Sequence, residues 1–447
     1  MSSLPKDLPP YGADRPAPPL AIVQHKLGNG MQVWVLPRQD GPPKVHFVLA
    51  VRGGLADDPP LQQGLSSLLA DMLKEGTGSR DAATIAGDVQ SWGGDLQADA
   101  GVDGIVVSIS ALAGNAAKAV TLLSELAQTP SFPRDQVQQG KLRALQALVA
   151  ARVDPDWLAR RAMAALLYPG HPYGRVLPTE ASLLSITAEM LHSEHDRRFR
   201  PDQSLLIVTG RISDADALRM ADAVFGDWTA SGKPSVGVGA APDQVAAGRV
   251  FIARDSSVQS TIRVGVPAVA ATSPDFAALR VANAVLGGGF RSRLNLDLRE
   301  DKGWTYGAGS QLRGEHAGGS VVAYADVRNE VTGAAVGRIL AQFADLGAQP
   351  VPASELASTQ HYLAGSYLLL TQQQAEIADQ LADLWLAGQP AQAMSDYVAR
   401  IEAVTPAQVQ AMARKYLSPA TASIVVVGDP SVLAQLQPFG PFVQRAK

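Results

Sequence analysis

The spacing of apolar positions changes several times along the chain. Asn29-Gly30 separates two short apolar segments, which is a hairpin or tight-turn signal. Val45 to Val51 reads as a strand. Leu61, Leu65, Leu68, Leu69 and Met72 then recur at helical spacing and predict a helix over 61–72. Strand character returns from Ile105 to Leu112, and Leu122, Leu123 and Leu126 mark another helix.

The pattern also repeats on a long scale. Ile186-Thr187-Ala188-Glu189, Arg200-Pro201 and the apolar run Ser204 to Gly210 are echoed by Val404-Thr405-Pro406-Ala407, Ser418-Pro419 and Ala422 to Gly428, at one constant offset. Thr187 and Thr405 are each placed to cap a helix, and Pro406 suits a first helical position. Such a period fits duplication of a whole domain, not a solenoid. The stretch 231–240 is poor in bulky apolar residues and has linker composition. The expected division is an extended, Pro-rich lead-in over 1–20, a first domain over 21–230, a linker over 231–245 and a second domain over 246–447. Each half mixes period-2 strands with amphipathic helices without regular alternation. This predicts an α+β fold in which a mostly antiparallel sheet is covered by helices.

Composition narrows the chemistry. The 447 residues are 46% hydrophobic and 18% charged, as expected of packed domains. Thirty-eight basic against 42 acidic side chains give a net charge of -4, with no general attraction for nucleic acid or anionic lipid. Without cysteine there are no disulfides, thiol nucleophiles or Cys-ligated metals. No apolar run is long enough for a transmembrane helix, and neither a dinucleotide nor a P-loop fingerprint occurs. Of the seven histidines, only His192 and His195 are close in sequence, and they belong to neither HExxH nor HxxEH. Their ordinary reading is the polar end of a helix before Arg197 and Arg198.

Several blocks in order carry a resemblance. They are Gly64 to Thr77, Trp92-Gly93-Gly94, His171-Pro172-Tyr173-Gly174-Arg175, Gly287 to Leu294, Leu298 to Tyr306 and Val425 to Asp429. Together they resemble the insulinase or pitrilysin family of zinc peptidases, in particular bacterial two-domain members similar to mitochondrial processing peptidase subunits. The resemblance implies an inverted HxxEH motif on the first helix. Its two zinc histidines fall on Ser67 and Asp71, its general base on Ala70, and a third ligand, a glutamate, near Ala147. None of the four positions keeps its function, and 141–153 holds no acidic residue at all. Ser67, Ala70 and Asp71 are expected together on the solvent-facing side of the helix, largely opposite Leu65, Leu68, Leu69 and Met72. Neither a metal nor another cofactor is expected on this chain.

The same resemblance gives Arg299 and Tyr306 the role of gripping substrate, both being donors suited to a peptide carbonyl that becomes tetrahedral. Arg299 is expected to end a helix at Gly303, and Tyr306 to begin a strand. Gly287-Gly288-Gly289 can form a substrate-contact turn or a plain connector. His171 to Arg175 reads as a structural turn. The implied function is a non-catalytic subunit of a heterodimeric peptidase, lending substrate-binding residues and chamber walls to a homologous zinc-bearing partner that cuts peptides or unfolded polypeptide. The alternative is a non-enzymatic structural or assembly protein of the same family. The bacterial periplasm is the expected location, with the cytoplasm as alternative.

Overall fold

The computed structural model describes residues 20–235 and 237–445, so the lead-in expected over 1–20 lies outside them apart from Leu20. The first half runs through β1 (Val23–Lys26), β2 (Gln32–Pro37), β3 (Lys44–Arg52), α1 (Leu65–Leu73), β4 (Leu96–Ala100), β5 (Gly104–Leu112), α2 (Ala116–Gln128), α3 (Arg134–Ala151), α4 (Pro155–Leu167), α5 (Ala188–Arg198) and β6 (Ser204–Gly210). The second half repeats the plan. It contains β7 (Arg249–Ala253), β8 (Gln259–Ala268), α6 (Phe276–Leu286), β9 (Ala308–Gly314), β10 (Gly319–Arg328), α7 (Thr332–Ala348), α8 (Ala353–Leu370), α9 (Gln374–Leu386), α10 (Pro406–Tyr416), β11 (Ser423–Gly428) and β12 (Val443–Arg445). Two further helices, Ala82–Ser91 and Asp214–Phe225, and several shorter helical turns link these elements.

Each half builds a six-stranded sheet, in the orders β1-β2-β6-β3-β5-β4 and β12-β7-β11-β8-β10-β9. Most pairs are antiparallel; β2–β6, β7–β11 and β7–β12 are parallel. In the first sheet Phe47 of β3 stands opposite Val208 on one side and Ile109 on the other. The repeat shows in its caps. The Thr187 hydroxyl accepts from the Met190 N–H and that of Thr405 from Gln408, each opening an 11-residue helix that leads towards the last central strand. At the β1–β2 turn, Gly30 takes a φ of 95°, and the Asn29 side chain donates to the carbonyls of Phe225 and Trp228.

Both central strands are buried on both faces. All seven residues of β6 are buried. Leu206 and Val208 join the core beneath the helices of their own half, while Leu205 and Ile207 point the other way. That second face is covered from the distant half. Ile377, Ala378, Leu381 and Trp385 of α9 pack on Trp34, Leu36, Val48, Ala50 and Ile207. Reciprocally, Trp157, Met163 and Leu167 of α4 join Val250, Ile252, Val425 and Val427 of the second sheet in one cluster. Glycines permit both crossings. A Cβ on Gly104 would fall 2.3 Å from Leu386 Cδ2, and one on Gly265 would fall 2.8 Å from Met163 Sδ. The halves thus exchange helices that occupy equivalent positions in the repeat.

The helix predicted over 61–72 begins later. Leu61 is 81% exposed with a φ of 74°, and α1 starts at Leu65 after Gly64, whose φ is 97°. The carboxylate of Asp58 accepts from the Gly64 and Ser66 N–H groups, satisfying donors that a helix start leaves unpaired. Among the described residues no helix is long and apolar enough to cross a membrane.

Leu381→Ala, which removes a wholly buried side chain from the exchanged α9, should destabilise the protein by about 2–5 kcal/mol. The expected readout is a lowered urea midpoint in which intrinsic tryptophan fluorescence and backbone circular dichroism shift together.

Candidate interdomain cleft and degenerate metal site

The α1 helix packs on the first sheet through Leu65, Leu69, Met72 and Leu73. Gly140 of α3 lets Leu68 and Met72 approach, since a Cβ there would fall 2.7 Å from the Met72 methyl. The start of α1 is anchored by Arg198, which is fully buried. Arg198 donates to the carbonyls of Gly53 and Gly54 and to the Ser66 hydroxyl, and it pairs with Asp58 and Glu194. The scaffold of the helix is therefore intact.

What it presents differs from the expectation in one respect. Ser67 and Asp71 face outward, but Ala70 is buried, not on the solvent-facing side with them. α1 is packed against the edge strand β4 as well as α3, so the face turned to solvent is narrow. Ala147 is exposed on α3. The set therefore comprises one hydroxyl, one carboxylate and two methyl groups. It does not fit zinc, which takes imidazole, thiolate or carboxylate donors. Among the described residues no three His, Cys, Asp or Glu side chains are grouped to hold a metal ion.

His195 and Arg198 are buried while His192, Ser193 and Asp196 are exposed, so the polar end of α5 is solvated on one side only. His195 stacks on Phe199 at 4.5 Å and its Nε2 lies 3.0 Å from the Ala127 carbonyl oxygen. Burial pushes its imidazole down to about 4. Of the pair that sequence spacing brought to notice, His195 is core and His192 is exposed.

In the second half Arg299 sits in a π-helical turn, Leu296–Asp301, that stops before Gly303 at a φ of 61°. Its guanidinium lies 4.6 Å from the Phe290 ring centroid, with Glu300 3.4 Å from Nε. Gly287, Gly288 and Gly289 line the same cleft as Arg299. The run makes a close approach to β9. The Gly287 carbonyl accepts from the Ser310 N–H at 2.8 Å, and a Cβ on Gly287 would fall 2.2 Å from that nitrogen. Tyr306 lies two residues before β9, not at its start, and is 94% exposed outside the cleft lining. Arg299 and the glycines are brought together; Tyr306 stands apart.

The cleft has a volume of about 870 Å3 and lies between α4 and the β8–β10 face. Sequence reasoning missed its α4 wall, because Asp156, Trp157 and Arg160 lie in no motif. It also missed the polar junction behind it. The Asp103 carboxylate accepts from the Tyr173 hydroxyl at 2.6 Å and the His316 N–H at 2.7 Å, while the Ala317 N–H donates to the Tyr173 oxygen. The β9–β10 turn is thereby tied to the first half. The block at 171–175 forms a 3-10 turn capped by His171, and that turn positions Tyr173. Beside it, burial and the Asp103 charge push Glu315 up to about 7.

Residues 34–178 match the insulinase (peptidase family M16) model, and residues 185–363 match the model of the peptidase M16 inactive domain. The chain belongs to the M16 peptidase family. Two sheets that share the order of five strands, β2-β6-β3-β5-β4 and β7-β11-β8-β10-β9, each wrapped by helices, are the M16 duplication seen within one chain. An uncharacterized zinc protease of Mycobacterium leprae is 26% identical over 266 residues, 58% of this chain and 59% of that protein. A Helicobacter pylori protein described as a non-peptidase homolog is 25% identical over 260 residues, 58% of this chain and 60% of its own length. A solved peptidase M16 inactive domain from Pseudomonas fluorescens superposes with a TM-score of 0.85 at 25% identity, covering 92% of this chain and 98% of that one.

The junction carries a pH dependence with a definite sign. A carboxyl whose folded pKa is raised from 4.5 to about 7 binds more protons folded than unfolded, so its contribution declines as pH rises through that window. Glu315→Gln should flatten the fall in melting temperature between these pH values and melt above wild type at pH about 8. An unchanged pH profile would count against the assignment.

Proposed function

We propose that this chain is a non-enzymatic M16 homologue that acts by assembling with polypeptide and not by hydrolysing it. The donor set on α1 and α3 carries this reading: its four positions supply one carboxylate, Asp71, and no imidazole, no three metal-ligating side chains are grouped among the described residues, and the Ala70 methyl cannot move a proton. The likeness to a relative described as a non-peptidase homolog supports it.

One observation favours a second reading. Arg299 faces a large cleft beside the Gly287–Gly289 run, as a substrate-gripping residue would. On that reading the chain is one half of a heterodimer, and a homologous partner carries the zinc. Arg299 and Tyr306 then supply donors to the peptide, with Tyr306 free at the surface to reach a chain lying across both subunits.

Cleavage of a quenched-fluorescence unfolded polypeptide separates the two. The chain alone should give none; turnover by it contradicts both readings. If it completes a half-site, adding it to a zinc-bearing M16 chain raises the rate, and Arg299→Ala with Tyr306→Phe lowers that rate by about 100-fold, as loss of transition-state donors does. If it serves assembly alone, addition leaves the rate unchanged.

A further inference from the structure

The cleft between α4 and the second sheet has a charge opposite to that of the protein. Four arginines line it, Arg160, Arg263, Arg299 and Arg313, against two acids, Asp156 and Glu315, in a chain whose net charge is -4. The acids neutralise few of them. Asp156 is shared by Arg160, at 2.9 Å, and Arg263. Glu315, pushed up to about 7 by burial, carries only part of a charge at neutral pH. Arg299 has one carboxylate, 3.4 Å away; Arg313 donates to the Gln311 side-chain amide oxygen at 3.4 Å, feels the Glu315 charge, and makes no ion pair among the described residues. Each guanidinium presents five N–H donors, so most of this donor capacity is unspent.

The rest of the wall is largely apolar, with aromatic side chains among aliphatic ones such as Met163 and Leu167. Trp157, Tyr168 and Tyr324 line it along with Phe290, which is 64% exposed beneath the Arg299 guanidinium. Trp157 and Tyr168 are buried, but Phe290 and Tyr324, the latter 41% exposed, leave rings open beside underused guanidiniums and suit a ligand that alternates apolar groups with carboxylates. The volume, near the upper end of about 300–1,000 Å3 for small-molecule sites, admits an extended segment. The charge is confined to a cavity between helix and sheet and forms no continuous basic track, which disfavours nucleic acid.

We propose that this cleft is a binding site for acidic extended polypeptide, in which Arg313 and Arg160 pair with side-chain carboxylates and the aromatic wall takes the intervening apolar side chains. The proposal rests on the reading of the cleft as a surface for polypeptide, and it holds with or without a zinc-bearing partner.

Fluorescence anisotropy with short labelled peptides alternating Glu and Leu, Gln and Leu, or Lys and Leu tests it on the full chain. The Glu peptide should bind at least about ten-fold more tightly than the Gln peptide and weaken with added salt. Arg313→Gln should cost about ten-fold in Glu-peptide affinity, and Arg313→Glu more, with melting temperatures near wild type. Equal binding of Glu and Gln peptides, or a preference for Lys, overturns the acidic class but leaves the polypeptide reading standing. Absence of binding by all three overturns both. A Glu preference that survives the Arg313 variants and Arg160→Gln shows that another surface is responsible, and an oligonucleotide that competes equally well removes the assignment to peptide.

Discussion

The constraint on which this structure depends is the exchange of α4 and α9 between its halves. A sheet whose central strand reads as an unbroken apolar run must be covered on both faces. The helices of each half cover only one. The second face of the first sheet receives Leu381 and Trp385 from α9, and that of the second sheet receives Trp157 and Met163 from α4. Neither half can bury its central strand alone, so duplication here has produced one interdependent unit. The cleft follows from the same exchange, because α4 covers the β11 and β8 side of the second sheet and leaves open the space towards β9 and β10.

That scaffold and the chemistry of the family's metal helix have separated. α1 keeps its apolar seam, its Asp58 cap and the Arg198 network beneath it. Breaking such a buried pair from one side typically costs about 3–5 kcal/mol, so the network is a strong constraint on any substitution there. The outward positions are under no such constraint, since changing Ser67 or Asp71 disturbs no core contact. The tightly packed surroundings of Ala70 suit a small side chain. Packing therefore accounts for why the helix persists, and says nothing that would require a metal.

The legible parts of the fold were those written in local chemistry. The Thr187 and Thr405 caps, the Asn29-Gly30 turn and the apolar central strands each carry their cause within a few residues. The repeat follows from their equal spacing. Leu61 misled because its spacing was helical while its backbone is held at positive φ. His195 and Arg198 misled because a polar residue in sequence is not marked as buried until its partners, Ala127 and Asp58, are known. The cleft was least legible of all. Asp156 and Arg263 are 107 residues apart and meet only through the exchange of α4, which no periodicity encodes. Of the site residues named from motifs, Arg299 and Gly287–Gly289 share a cleft and Tyr306 does not, since a spacing of seven residues fixes no common direction once Gly303 interrupts the helix.

An intact M16 scaffold here carries a surface without the donors for a catalytic metal. Zinc content distinguishes this from a working metal site. The purified chain, equilibrated with excess zinc and dialysed, should retain only a small fraction of an equivalent by elemental mass spectrometry. Retention of stoichiometric zinc, lost on replacing Asp71 by Ala, would contradict it.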